Sequence, residues 1–158
     1  MTKYRKHHKR GKKRRLSRAE LERRRRGRED QETHDKNLEA IMQNPASIGL
    51  NNIYSCFKES KWYDRKFIPG GTPDLIMSNG KLLYILEYKT HHTLATENKG
   101  EKQLKTIRDW FYKKGVEYNK MRLMIVYGSP ENFEVVYYTK EQLDRVELEN
   151  YKDFRKFG

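Results

Sequence analysis

The segment 81–90, Lys-Leu-Leu-Tyr-Ile-Leu-Glu-Tyr-Lys-Thr, limits the fold more than any other stretch of this chain. Alternate side chains of a β-strand share a face, so Leu83, Ile85, Glu87 and Lys89 line one side and Leu82, Tyr84, Leu86 and Tyr88 the other. From Leu82 to Leu86 both faces are apolar, which calls for cover on both sides and places the strand centrally in a sheet. Two charges then follow on the face that Leu83 and Ile85 make core. A charge pair there is costly unless something uses it.

The flanking sequence supplies the rest of a sheet. Lys61–Ile68 reads as a first strand and Pro69-Gly70-Gly71 as a turn. Asp74–Met77 is a second strand, and Ser78-Asn79-Gly80 is a hairpin turn leading into the third at Lys81–Thr90. A helix is expected from Asn98 to Lys114, with Leu104, Ile107 and Phe111 on one face and Gly115 as its stop. Arg122–Tyr127 and Phe133–Thr139 are two more strands, and Thr139 with Gln142 forms a capping box for a last helix. Upstream, Leu38, Ile41 and Met42 make a short helical stripe ending near Pro45. A second helix is expected after Asn44-Pro45, turning Ile48, Ile53, Cys56 and Phe57 inward. The implied fold is an α/β (α+β) domain with a central mixed sheet of about five strands flanked by helices.

The hairpin carries Asp74 to the neighbourhood of Glu87, so two carboxylates and the Lys89 ammonium converge. Close carboxylates resist joint ionisation unless a cation sits between them. Mg²⁺ takes one or two carboxylates and keeps several waters, so it suits the pair, and Mn²⁺ is an expected substitute. A phosphodiester oxygen can replace one water, and Lys89 can orient or deprotonate the attacking one.

These residues resemble a known family. Gly71-Thr72-Pro73-Asp74-Leu75-Ile76, ten further residues and Glu87-Tyr88-Lys89-Thr90 are similar to the motif of the PD-(D/E)xK nuclease superfamily. Its VRR-NUC group and the archaeal Holliday junction resolvases are the nearest in pattern. The resemblance implies a restriction-endonuclease-like core. It also implies Asp74 and Glu87 as metal ligands, the backbone carbonyl of Tyr88 as a third, and Lys89 as the group that assists the water. It extends to Gln103 and Trp110 on the next helix and to Gly115. Many members carry a glutamate on the first core helix, where this chain has Asn51 and Asn52; Glu39 is the nearest upstream acid. RecB-type members place a tyrosine where Ile107 stands, which argues against that branch.

Each residue also has a plainer use. Asp74 can be a turn residue, and Glu87 with Lys89 an exposed pair of little energetic weight. Gln103 can be solvated, Trp110 packed in the core, and His91 and His92 solvated on their loop. The tyrosines, among them Tyr84, Tyr88, Tyr127, Tyr137 and Tyr138, suit base stacking and strand propensity equally.

Charge is divided sharply. Residues 1–28 contain fifteen Lys or Arg against two acids, which is the whole net +13 of the protein, while the other 130 residues balance at 20 basic and 20 acidic. Residues 1–30 are therefore expected to be a basic, largely disordered arm, and 31–158 the nuclease-like domain. Ser17 and Glu20 stand at capping-box spacing, so a helix in the arm is expected to form fully only on a polyanion. Lys12, Lys13, Arg14, Arg15, Arg23, Arg24, Arg25 and Arg26 are candidates for phosphate contacts that are sequence-independent and salt-sensitive. The expected partner is DNA, duplex or branched, with a homodimer open. A non-catalytic DNA- or RNA-binding protein on the same fold is the alternative. One cysteine, no secretory leader and no apolar run of roughly 18 residues point to an intracellular protein that is neither secreted nor membrane-bound.

Overall fold

The computed structural model describes residues 15–58 and 73–147, and for Phe57 and Lys58 the backbone only. By internal contacts the chain divides into two units, Met1–Glu32 and Thr33–Gly158. Lys12, Lys13 and Arg14, the expected strand at Lys61–Ile68 and the turn after it lie outside the described residues.

In the first unit, helix begins at Arg18, and the Ser17 hydroxyl accepts the Glu20 N–H at 3.1 Å. Helix α1 runs Arg18–Gln43, starting where the Ser17–Glu20 spacing places a helix and running on through the Leu38–Met42 stripe without a polyanion present. Its cationic run has local support. Arg25 pairs with Glu22 and, at 3.6 Å, with Glu29, and Arg26 lies 3.5 Å from Glu22. Each such exposed pair contributes little, but together they offset part of the repulsion along Arg23–Arg26.

The second unit is an α+β fold around one open five-stranded sheet. Its strands are β1 (Ser55–Lys58), β2 (Leu75–Ser78), β3 (Leu83–Lys89), β4 (Met121–Tyr127) and β5 (Glu134–Tyr138), hydrogen-bonded in that order. Neighbours are antiparallel except β3 and β4, which are parallel and linked through helix α2, Leu94–Lys113. A short helix, α3, spans Lys140–Asp144.

The expected strand alternation holds on both faces. Leu86 and Tyr88 join Leu75, Met77, Met124 and Val126 beneath Leu38 and Ile41 of α1. Ile85 joins Ile76, Leu123 and Ile125 beneath Leu104, Ile107 and Phe111 of α2. Each fully buried Leu or Ile contributes about 1.5–3 kcal/mol, so the two clusters hold the sheet between its helices. Gly100 brings α2 unusually close: a Cβ there would lie 2.5 Å from Ile125 Cδ1 and 3.6 Å from Lys89 Cε.

Two sequence expectations need correction. Residues 45–57 are a single 3-10 turn, Pro45–Ile48, followed by β1, rather than a helix. Asn44 makes no side-chain cap, and Gly49 closes the turn at φ 80°, donating its N–H to Ala46. Ile48 still turns inward, with Ile53 and Cys56 against the same cluster. Helix α2 begins at Leu94 rather than Asn98, because Thr93 and Thr96 form a reciprocal capping box with no Glu or Gln in it.

Candidate active site

The hairpin places the first carboxylate. The Asn79 side chain accepts the N–H groups of Lys81 and Leu82 at 2.9 and 2.7 Å, and Gly80 takes φ 88°, which a side chain rarely tolerates. The turn fixes the register Leu75↔Leu86, so the next pair along would set Asp74 opposite Glu87. Pro73 would come opposite Tyr88 and has no N–H to give its carbonyl. The Tyr88 N–H instead donates to Asp74 Oδ2 at 2.8 Å. In a strand, N–H and C=O of one residue project toward the same neighbour, so the Tyr88 carbonyl faces the Asp74 side as well.

Glu87 is 1% exposed and Asp74 9%. Among the described residues, Glu87 Oε1 has no hydrogen-bond partner. Burial, and then the charge of Asp74, push the Glu87 pKa well above the usual carboxylate range, while Lys89 pulls it back. Burial lowers the pKa of Lys89, against the opposing pull of Glu87 and Asp74. The ammonium is held in place, for Lys89 Nζ donates to Gln103 Oε1 at 2.8 Å. Gln103 reaches it from α2 because Gly100, one turn earlier, lets the helix approach.

A residue that sequence reasoning passed over completes the site. His34 Nε2 of α1 lies 3.4 Å from Asp74 Oδ2, and its ring meets that of Tyr88 edge-on at 5.2 Å. Its hydrogen bond to Asp74 raises the His34 pKa. One turn on, Asn37 donates to the Tyr88 hydroxyl at 2.7 Å, and that hydroxyl donates to the Gly128 carbonyl. The signal was present: His34, Asn37 and Ile41 fall at helical spacing, so two polar residues continue the apolar stripe.

The structure therefore brings together Asp74, Glu87, Tyr88, Lys89 and Gln103. Glu39 is half-buried on α1, and Asn51 and Asn52 are exposed, Asn52 at φ 59°. Trp110 packs against the α2 cluster. His91 is exposed, and His92 stacks on Tyr127 at 3.9 Å and bonds Glu134. Arg15, Arg23, Arg24, Arg25 and Arg26 are exposed.

Among the described residues no group of three or more His, Cys, Asp and Glu side chains could hold a metal ion. A cation at this site would rest on two carboxylates, the Tyr88 carbonyl and water. Among the described residues no helix is long and apolar enough to cross a membrane. No family model matches the chain, and no curated protein matches it in sequence.

Proposed function

We propose that this protein is a Mg²⁺-dependent deoxyribonuclease of the PD-(D/E)xK kind, with Mn²⁺ able to substitute. The observation that carries the reading is Glu87: a carboxylate 1% exposed, one oxygen without a partner among the described residues, beside Asp74 and Lys89. Left alone, a buried oxygen of this kind costs about 1–3 kcal/mol, and a hard divalent cation that prefers oxygen and retains waters removes that cost. When bound, the cation would polarise a phosphodiester oxygen and offset the charge that develops on phosphorus.

The remaining work belongs to the chain. Lys89, its pKa lowered by burial, takes a proton from the attacking water as the new O–P bond forms and the scissile P–O bond breaks. Gln103 keeps the lysine nitrogen aimed at the site. The Tyr88 N–H fixes the Asp74 carboxylate at the sheet end. Residues 1–28, with fifteen cationic side chains, hold the phosphate backbone without reading its sequence.

The test is cleavage of linear duplex, supercoiled, single-stranded and four-way-junction DNA with Mg²⁺ or EDTA. Wild type is compared with Glu87→Ala and with a chain lacking residues 1–28. Glu87→Ala should abolish cutting and keep DNA affinity. The truncated chain should lose affinity and flatten its salt dependence, yet still cut at high enzyme concentration. Normal cleavage by Glu87→Ala would remove the site assignment. A wild type that binds every substrate and cuts none would make the protein a binding module.

A further inference from the structure

At the end of the sheet remote from Lys89, where β3 and β4 begin and β5 ends, lies a cavity of ≈ 590 Å³. That is within the range of about 300–1,000 Å³ typical of small-molecule sites. Arg108, Arg122 and Lys140 line it, and among the described residues none of the lining side chains is acidic.

Two of these cations are already engaged. Arg108, 2% exposed, pairs with Asp144 at 2.8 Å and Asp109 at 2.9 Å, and Lys140 pairs with Asp144 at 2.7 Å. Arg122 differs. It is exposed, its Nη1 donates to the carbonyls of Asn119 and Met121 at 3.0 Å, and among the described residues no carboxylate pairs with it.

The aromatic lining divides in the same way. Tyr118 is covered, stacked on Tyr112 at 4.3 Å with Arg108 5.0 Å from its ring centre. Tyr84 and Tyr137 are not stacked on any ring among the described residues, and Tyr137 is 48% exposed. Register puts Tyr84 beside Arg122, and Tyr137 beside Met124, the next residue of β4 on that face. Burial and then the neighbouring Tyr84 raise the Tyr137 pKa while Arg122 pulls it down, so the three groups are within electrostatic reach.

A half-exposed tyrosine on an edge strand is ordinary. The exposed Tyr137 ring, the half-buried Tyr84 near it, a guanidinium that meets no carboxylate among the described residues and a hollow before them specify a ligand that is flat and carries negative charge. A guanidinium matches a phosphate in two-pronged geometry, and tyrosine faces take any base. We propose that this cavity binds a nucleobase bearing a phosphate, its ring against Tyr137 and Tyr84 and its phosphate on Arg122. Two sources share this chemistry: a free mononucleotide and the phosphorylated end of a single strand. The site stands apart from the carboxylates, and either assignment can fail without the other.

The experiment is calorimetric titration of the full chain with AMP in EDTA, for wild type, Tyr137→Val and Arg122→Gln. Valine keeps a strand-forming side chain at an exposed position, and an unchanged thermal midpoint checks that each variant is folded. Saturable binding weakened by about tenfold or more in each variant is expected. Adenosine and inorganic phosphate, each with half of the ligand, should bind less tightly than AMP. Equal AMP affinity in wild type and both variants, or no saturable binding, would overturn the proposal, because the basic segment alone would give the former. A 5′-phosphorylated oligothymidylate that binds more tightly than AMP, with the same dependence on Tyr137, identifies a strand end as the source. AMP binding as tightly or more so identifies the free nucleotide.

Discussion

Lys89→Met should lower the rate of Mg²⁺-dependent DNA cleavage by about 10²–10⁴-fold, the usual worth of a positioned acid–base group. DNA affinity should stay where it was. Methionine has nearly the length of the lysine stem and fills the same narrow space beneath Gly100, so the packing of α2 on β3 survives. Gln103 loses the Nζ donor it accepts at 2.8 Å but sits half-buried, where water can replace it. Burial disfavours the lysine charge, so the substitution should not lower the thermal midpoint. The decisive measurement is single-turnover cleavage at saturating enzyme beside an equilibrium binding isotherm. Cleavage at the wild-type rate would remove Lys89 from the reaction, and a parallel loss of binding would make its role electrostatic attachment.

Glu87→Gln should leave a metal-free protein that is more stable than wild type at neutral pH, because the amide fills the same buried place without the charge that burial and Asp74 oppose. The sign follows from the raised pKa of Glu87, whose largest cause is burial. The folded state favours the protonated acid. That contribution to stability is fully present below the ordinary glutamate value of 4.5 and is lost as pH climbs toward the raised folded value. In EDTA, wild type should lose stability relative to Glu87→Gln as pH rises above 4.5. Mg²⁺ should reverse the order, since a cation at 100 times its Kd stabilises the form it binds by about 2.7 kcal/mol. Thermal melts with and without Mg²⁺ across pH give both readings. Equal stabilisation of the two proteins by Mg²⁺ would place the cation elsewhere.

Strand β3 and its hairpin were legible because each rested on a local rule. Alternation from Leu83 to Lys89 fixed the faces, and Ser78-Asn79-Gly80 fixed the fold-back. The segment after Pro45 was misread because Asn44-Pro45 looks the same before one turn as before three. What decides the length is Gly49, and it acts only in the left-handed conformation. The start of α2 escaped notice because its box pairs Thr93 with Thr96, and Leu94 is exposed rather than part of an apolar stripe. Helical spacing puts His34 on the inward stripe of α1, but what it meets there was not legible, for a different reason. It lies 40 positions before Asp74, and only the packing of α1 onto the sheet, through Leu38 and Ile41, brings it to the carboxylate. Contacts set by a hairpin can be read along the chain, whereas those set by helix docking cannot.

The alternation at Glu87-Tyr88-Lys89 governs how this chain can change in length. Gly80 and Lys81 are exposed, so residues added at that tip would lengthen the hairpin and disturb little else. Strand β3 keeps its alignment there, being paired with β4 over seven positions as well as with β2. One residue added between Glu87 and Lys89 would do the opposite. It would exchange the two sides of the strand, turning lysine toward the α1 cluster and tyrosine away from Asn37 and Gly128. Spacing is elastic across the turn between Asp74 and Glu87, and fixed at two from Glu87 to Lys89.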